Sequence, residues 1–338
     1  MPRQARIDAV GAVHHIIARG IERCKIFRGA RDRLDFLDRL GKIITATATD
    51  CFAWALMPNH FHLLLRTGKA PIATVMRRLL TGHAVSFNLR HKRCGHLFQN
   101  RYKSILCQED TYLKELVRYI HLNPLRSKIV KSLTELDHYR FCGHGVILGA
   151  HESHWQQVDQ VLHRFGADEA AARGAYRSFI EAGINQGRRE DLIGGGLVRS
   201  SGGWTRVKSM RMAGQFLKSD ERILGDSDFV EKVLREAHEA IQRKCQLRSQ
   251  GVSVEQLIRI AAKMVSIPPD MVMGPGKERR RVKARRLVSY WGVRELGLTS
   301  TMIANRLGIA LPTVSKAVQQ GEEIIRREQL SLFELLNI

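Results

Sequence analysis

Two histidines separated by one residue, His60 and His62, are the side chains of this sequence that best suit metal binding. They lie in an apolar stretch, which favours an extended backbone in which residues two apart point to the same face. The two imidazoles would therefore share one face of a strand, while Phe61, Leu63 and Leu65 pack on the other. Neighbouring imidazoles on a rigid strand can hold a divalent metal ion.

Further along the chain, Tyr119 and Asn123 stand one helical turn apart. Their segment predicts a helix that Asp110 caps and Pro124 stops. The apolar residues recur at the spacing of a buried stripe; they are Leu113, Leu116, Val117 and Ile120. At positions i and i+4, Tyr119 and Asn123 project together from the flank of that stripe. An asparagine oxygen can complete a metal site of two histidines and place the phenol beside a Lewis acid, an arrangement that suits a tyrosine attacking a phosphodiester.

The elements that must position these residues follow the order β-α-β-β-α-β. The patterns predict strands over 12–19, 50–57, 60–66 and 102–108, helices over 31–48 and 71–92, and then the helix of Tyr119. This order is the ferredoxin-like arrangement, an antiparallel sheet with helices on one face. We therefore expect an α+β fold whose open face presents the histidines, with the Tyr119 helix packed near them.

Each of these features is common when taken alone. With 14 histidines in 338 residues, about 0.6 His-x-His pairs are expected by chance. A tyrosine on a helix flank is more often a half-buried core residue, and asparagine before proline is an ordinary helix ending. The prediction therefore depends on the combination of these residues with the sequence around them.

Four segments carry that combination: HIIARG at 15–20, MPNHFH at 57–62, FQNRYK at 98–103 and RYIHLNP at 118–124. They resemble the REP-associated tyrosine transposases, a branch of the single-tyrosine HUH (His-hydrophobic-His) transposases, over about residues 10 to 140. The resemblance implies a palm-like fold of the same ferredoxin-like kind. It also implies that His60, His62 and Asn123 bind Mg²⁺ or Mn²⁺ and that Tyr119 is the nucleophile.

The activity implied by the resemblance is DNA transposition, in which single-stranded DNA is cleaved at hairpin or palindromic sites through a 5′-phosphotyrosine intermediate. One alternative is a sequence-specific DNA-binding regulator that keeps the transposase fold and catalyses nothing. Another is a zinc hydrolase, for which Glu115 is the only obvious general base nearby. Imidazole ligands favour zinc and phosphoryl transfer commonly uses magnesium, so the choice of metal rests on the resemblance.

The composition favours a nucleic-acid partner. The 55 Lys and Arg outnumber the 33 Asp and Glu, which gives a formal charge of +22 and concentrates polyanions in a salt-dependent way. The six cysteines are scattered without a CxxC spacing, which suggests neither a disulfide framework nor a zinc ribbon. We see no signal peptide and no membrane-spanning stretch, so we expect a cytoplasmic, nucleoid-associated protein. A monomer and a homodimer both remain open.

The C-terminal region predicts a helix-turn-helix over 299–316. Ala304 lets the two helices cross closely and Gly308 supplies the turn. The apolar residues that would pack the pair are Ile303, Leu307, Val314 and Val318. The exposed side of the second helix would carry Thr313, Ser315, Lys316 and Gln319, which can contact phosphates or base edges in a major groove.

A basic segment, 277–286, precedes this motif and contributes the predicted DNA-binding residues Arg279, Arg280, Arg281, Lys283 and Arg285. Residues 252–325 resemble the duplex-binding C-terminal domain of the replication initiator DnaA. The Asp-His-Thr motif of the initiator is replaced here by Leu311-Pro312-Thr313. This difference argues against recognition of the DNA sequence that the initiator binds.

We therefore expect a catalytic domain over 1–140, a mostly helical connecting region over 141–250 and a DNA-binding domain over 251–338. Helical periodicity in the connecting region covers 154–165, 168–186 and 227–245. The expected partners are single-stranded hairpin DNA and duplex DNA.

Overall fold

The computed structural model describes residues 7, 11–187, 189, 192, 220–274 and 276–336. The chain divides into two compact units, Met1–Val233 and Leu234–Ile338. The predicted domain boundaries at residues 140 and 250 stay predictions. Within the described ranges, none of the helices combines the length and hydropathy that a bilayer crossing requires.

A five-stranded sheet is the centre of the first unit, with the strand order β2-β3-β1-β4-β5. The strands are β1 (Val13–Arg19), β2 (Asp50–Met57), β3 (His60–Arg66), β4 (Lys103–Cys107) and β5 (Ile223–Leu224). The first four pair antiparallel, and the short β5 runs parallel to β4 at the edge. Helices α1 (Ala30–Thr47) and α2 (Ile72–Arg90) complete the β-α-β-β-α-β order. The predicted α+β class and ferredoxin-like order are confirmed.

Helices cover both faces of this sheet. As expected, α1 and α2 pack on the face that carries Ile16, Phe61 and Leu63. Helix α3 (Glu109–His121) and the helices after it pack on the opposite face. The histidine face is therefore not open, because the apolar stripe of α3 is buried against β2 residues such as Ala53 and Ala55.

The ends of α3 differ from the sequence prediction. The helix begins at Glu109 after Gln108, whose side chain makes no capping hydrogen bond, and Asp110 lies in its first turn. Acidic residues at this position stabilise a helix through its dipole. Pro124 lies in the first turn of the next helix, α4 (Asn123–Arg126), where its missing N–H costs nothing. The chain therefore stays helical across Asn123.

Short helices fill the rest of the first unit. They are α5 (Leu133–Asp137), α6 (His144–Ile147), α7 (Val158–Leu162) and α8 (Glu169–Glu181). The helix predicted over 154–165 is thus shorter than expected, and the one over 168–186 ends earlier and is followed by a 3₁₀ turn at Ile184–Gln186. Much of the predicted connecting region, residues 193–219, lies outside the described residues.

The second unit is helical throughout its described part. Its elements are the end of α9 (Ser227–Ser249), α10 (Val254–Met264), α11 (Arg279–Tyr290), α12 (Ser300–Leu307), α13 (Leu311–Glu328) and α14 (Leu332–Leu336). A capping box of Ser253 and Gln256 begins α10. Leu257, Leu287 and Trp291 are central members of its apolar core.

Helices α12 and α13 are joined by a tight turn at Gly308, whose φ of 63° favours glycine. Thr299 caps α12 by accepting a hydrogen bond from the Met302 N–H. The four apolar residues predicted to pack the pair are buried: Ile303, Leu307, Val314 and Val318. The side chains predicted to contact DNA are exposed: Thr313, Ser315, Lys316 and Gln319. Their contact with DNA remains a prediction.

The basic residues of α11 differ in how exposed their side chains are. Arg279 and Arg280 are exposed, whereas Arg281 and Lys283 are half-buried, and Lys283 is paired with Glu328 at 2.8 Å. Arg285 is buried and donates to the carbonyl oxygens of Val272 (2.7 Å), Gly276 (2.9 Å) and Gly274. The predicted DNA contact of Arg285 does not fit this placement, because its guanidinium already holds the backbone of the preceding loop.

Candidate active site

The two histidines of the His-x-His pair lie on the same face of β3, with ring centroids 5.4 Å apart. His60 is half-buried and His62 is only 4 % exposed. The expectation that both would face solvent is therefore wrong for His62. The difference follows from their positions. His60 is the first residue of β3, beside the β2–β3 turn, whereas His62 lies two residues further into the strand and is covered by its neighbours.

A third histidine, His15 on β1, completes this group. Its Nε2 lies 2.9 Å from His62 Nδ1, the rings are stacked at 5.2 Å, and His15 is fully buried. His15 lies in one of the four motif segments, but the sequence alone gives it no role. Its position beside His62 depends on the β1–β3 register, which pairs His15 with Leu64 and Ile17 with His62. A sequence pattern does not specify that register.

Helix α3 places Tyr119 against these imidazoles. The Tyr119 ring meets His15 at 5.9 Å and His62 at 5.8 Å between ring centroids, edge-on in both cases. Tyr119 itself is half-buried at the border of the apolar core. The fold therefore brings together the predicted nucleophile and the predicted histidine pair, which are far apart in the sequence.

Asn123 lies beside Tyr119 in the fold. Its side chain is 8 % exposed, and its Nδ2 donates to the carbonyl oxygens of Tyr119 (3.1 Å) and Ile120 (3.3 Å). These bonds occupy the amide nitrogen and fix the amide group to the last turn of α3. The side-chain oxygen is then the atom of Asn123 that suits a cation.

The histidine pair has the protonation state that metal binding requires. Burial, helped by the charge of Arg19, lowers the pKa of His60 to about 4. Burial and then the neighbouring His15 and His60 hold the pKa of His62 well below its usual value. Both imidazoles are thus neutral near pH 7, and only a neutral imidazole binds a metal.

The hydrogen bonds of the pair also suit a metal. His60 Nδ1 donates to Asn59 Oδ1 at 2.7 Å, so its lone pair lies on Nε2; His62 Nδ1 is engaged with His15, which leaves Nε2 for a ligand. Among the described residues, no three His, Cys, Asp or Glu side chains are arranged to hold a metal ion. A metal on His60 and His62 would therefore need an oxygen ligand such as that of Asn123.

A cation also lies over the Tyr119 ring. The Arg126 guanidinium, on α4, is 5.4 Å from the centroid of the Tyr119 ring. Burial lowers the pKa of Arg126, while the nearby Tyr119 phenol acts in the opposite direction. Arg126 also donates to the carbonyl of Gly183 at 3.4 Å. Sequence analysis missed this residue, although it stands three positions after Asn123 and thus one helical turn away.

Glu115, the general base that a zinc hydrolase would need, is already engaged. Its Oε2 accepts from Arg118 and from Arg189, each at 2.6 Å. Both guanidinium groups bind the same carboxylate oxygen, so that oxygen is already engaged by the protein. The geometry therefore disfavours the hydrolase alternative.

With this geometry in place, the comparisons with known proteins are informative. Residues 10–123 match the family described as IS200-like transposases. The match lies within the first unit and covers strands β1 to β4 and helices α1, α2 and α3. A solved structure of a REP-associated tyrosine transposase bound to a REP hairpin is similar at 16 % identity and a TM-score of 0.35, over 44 % of this chain and 86 % of that one. No curated protein matches the sequence.

Residues beyond the matched segment hold α3, the helix that carries Tyr119. The Tyr176 hydroxyl lies 2.7 Å from both His121 Nδ1 on α3 and His144 Nδ1 on α6. Asp137 continues this network at 2.9 Å from His144 Nε2 and accepts from Arg177. Because Tyr176, His121 and His144 are fully buried, breaking one of these hydrogen bonds leaves a buried polar atom unsatisfied. The network therefore fixes α3 to α6 and α8.

The buried neutral histidines predict that the first unit loses stability in acid. A histidine with a lowered folded pKa contributes stability that is complete above its unfolded value of 6.5 and disappears as the pH falls through its folded value. Burial lowers the pKa of His14 to about 4, which corresponds to about 3 kcal/mol for this residue between pH 6.5 and 4. Urea unfolding at pH 7.5, 6 and 5 should show the decrease, and His14→Gln should make it shallower. A free energy of unfolding that stays constant over this range would contradict the prediction.

Proposed function

We propose that this protein is a metal-dependent DNA strand transferase in which Tyr119 cleaves single-stranded DNA. The observation that supports this most is the position of Tyr119, edge-on to His15 and to the neutral His62, in a segment that matches the IS200-like transposases. The excess of basic residues across the chain suits a DNA substrate.

In this proposal the Tyr119 Oη attacks a phosphorus atom of the DNA backbone. The new bond is a 5′-phosphotyrosine ester, and the P–O3′ bond breaks. The phenol loses one proton and the departing 3′ oxygen gains one, so the step is balanced without another reactant. One phosphodiester is exchanged for another and no ATP is required. A second 3′-hydroxyl then attacks the phosphotyrosine and rejoins the DNA.

His60, His62 and Asn123 would hold Mg²⁺ or Mn²⁺ in this site. Such an ion, when bound, supplies positive charge to an oxygen of the scissile phosphate. The chain itself supplies further positive charge through Arg126, which the packing of α4 holds over the Tyr119 ring. The hydrogen bond between His15 and His62 orients the imidazole of His62.

The proposed substrate is DNA with a hairpin or palindrome at the cleavage site. This rests on the resemblance of the four motif segments to REP-associated transposases. Duplex DNA would be bound by the second unit, through the exposed Arg279 and Arg280 of α11 and the exposed side chains of α13. The half-buried Arg281 would contribute positive charge near them, whereas the charge of Lys283 is balanced by Glu328.

The competing function is a DNA-binding regulator that keeps the transposase fold and does no chemistry. Such a protein would need neither the Tyr119 hydroxyl nor neutral histidines beside it. The retention of Tyr119, His60, His62 and Asn123 in one region of the fold favours the enzyme. Formation of a covalent adduct with DNA separates the two functions directly.

Replacing Tyr119 with phenylalanine should abolish covalent attachment to DNA. The ring packing against His15 and His62 stays, and only the attacking oxygen is lost. Purified protein with Mn²⁺ and an end-labelled single-stranded hairpin should give an adduct that survives denaturing electrophoresis. Tyr112→Phe, on the same helix, should leave the adduct unchanged. Wild-type cleavage by the Tyr119→Phe variant would refute the assigned nucleophile.

Replacing His60 with alanine should remove metal binding without unfolding the domain. His60 is half-buried, whereas His62 is buried and bonded to His15, so His60 is the cleaner position to test. Calorimetric titration with Mn²⁺ should show one site in the wild type and a loss of at least about tenfold in affinity for His60→Ala. The exposed His163 provides the control, His163→Ala. Equal Mn²⁺ affinity in all three proteins would exclude His60 as a ligand.

In the second unit, exposed and buried arginines should behave differently. Arg279→Ala with Arg280→Ala should weaken duplex binding with little change in thermal stability. The slope of log binding constant against log salt concentration should become shallower by about 1.8, as expected for two lost phosphate contacts. Arg285→Ala should instead lower stability by roughly 2–4 kcal/mol, because three carbonyl groups lose their donor. Thermal unfolding and duplex binding at several salt concentrations test both statements. Unchanged duplex binding by the double variant would remove these arginines from the DNA surface.

A further inference from the structure

Helix α2 and the loop of residues 95–102 enclose a groove of about 900 Å³ in the first unit. None of the residues assigned above to cleavage lines it. Its volume is in the range of pockets that enclose a whole small molecule or a nucleotide. The groove therefore has the size of a binding site that the cleavage chemistry does not use.

The polar lining of this groove suits an anion. Arg77 on α2 and Arg101 on the loop are both exposed and lie among its lining residues. His96, Gln99 and Asn100 add hydrogen-bonding groups. Among the described residues that line the groove, none is acidic. Two cations without a carboxylate beside them favour a phosphate-bearing ligand.

The rest of the lining is aromatic and apolar. Phe98 and Tyr102 are half-buried and line the groove above Leu80. Phe98 is held in place by edge-on contact with Phe61 at 6.4 Å and by contact with His83 at 6.2 Å between ring centroids. Fixed aromatic rings beside arginines are the combination that binds unpaired bases of single-stranded nucleic acid.

Backbone hydrogen bonds connect the groove to the histidine pair. The Gln99 N–H donates to the Arg19 carbonyl at 2.9 Å, and Gly20 pairs with Phe98. Arg19 is in turn the β1 partner of His60. The backbone of Phe98 and Gln99 therefore lies two strand spacings, or about 10 Å, from His60, the first residue of β3.

We propose that this groove binds an unpaired nucleotide of the DNA strand that Tyr119 cleaves. The base lies against Phe98 and Tyr102, and Arg77 and Arg101 bind the neighbouring phosphates. The groove thereby fixes which phosphodiester reaches Tyr119. The identity of the strand rests on the proposed function, whereas the binding of single-stranded DNA in the groove does not.

Binding of a fluorescein-labelled oligothymidylate to the full chain tests the groove. Arg77→Ala with Arg101→Ala is compared with Arg78→Ala and Arg31→Ala, which removes two other exposed arginines that do not line the groove. The groove variant should bind about tenfold more weakly than this control, with a salt slope reduced by about 1.4 for two lost phosphate contacts. Equal affinity and equal slope in the two double variants would overturn the proposal. An equal loss for a duplex of the same length would overturn the choice of single-stranded DNA.

Photo-crosslinking locates the bound base independently of affinity. A single 4-thiothymidine in the oligothymidylate should crosslink to the peptide that contains Phe98 and Tyr102, and Arg77→Ala with Arg101→Ala should reduce the yield. Crosslinks confined to other peptides would refute the groove. If the crosslink forms but wild-type protein makes no Tyr119 adduct, the proposed function fails and the groove assignment stands. If the adduct forms and the crosslink does not, the groove assignment fails alone.

Discussion

The packing of α3 against the histidine face of the sheet is the interaction on which the candidate active site depends. Leu113, Leu116, Val117 and Ile120 are buried in that contact, and each contributes roughly 1.5–3 kcal/mol as an upper estimate. The same contact sets the distance between Tyr119 and the imidazoles of β1 and β3. A shift of one residue along the helix would rotate Tyr119 away by about 100°. The packing of the core therefore also fixes the geometry of the candidate site.

A second set of contacts holds α3 through His121, its last residue. Tyr176 and His144 come from helices after the segment that matches IS200-like transposases. The Tyr176 hydroxyl joins His144 to His121, two residues after Tyr119. Buried polar networks are costly when any member is unsatisfied, so this one selects a single orientation of the helix. The structural unit that positions Tyr119 thus extends beyond residue 123, because residues 137–177 help to hold α3 in place.

Burial also determines the charge of the site. His60 and His62 are kept neutral by desolvation and by their neighbours, although the chain as a whole is strongly basic. Positive charge is supplied instead by guanidinium groups such as Arg126, which burial does not neutralise at ordinary pH. The site therefore combines neutral nitrogen ligands with fixed cations, and this combination suits a metal ion and a phosphate at the same place.

The sequence by itself determined the local structure and the candidate residues. Apolar stretches predicted the first four strands to within one residue at each end, because side-chain period follows directly from backbone conformation. The two-residue β5 was not predicted. The β-α-β-β-α-β order was enough to predict the ferredoxin-like sheet, and the four motif segments pointed to Tyr119 and the histidine pair. Exposed positions on α13 were also predicted correctly from helical spacing.

Only the tertiary structure decided which side chains meet. His15 joins His62 because β1 and β3 pair in one particular register, and register depends on packing between distant segments. Packing between distant segments also explains three other features. They are the second helical layer on the histidine face, the engagement of Glu115 by two arginines and the burial of Arg285 under a loop. Each results from contacts between residues far apart in the chain, whose free energies depend on three-dimensional packing that no local pattern encodes.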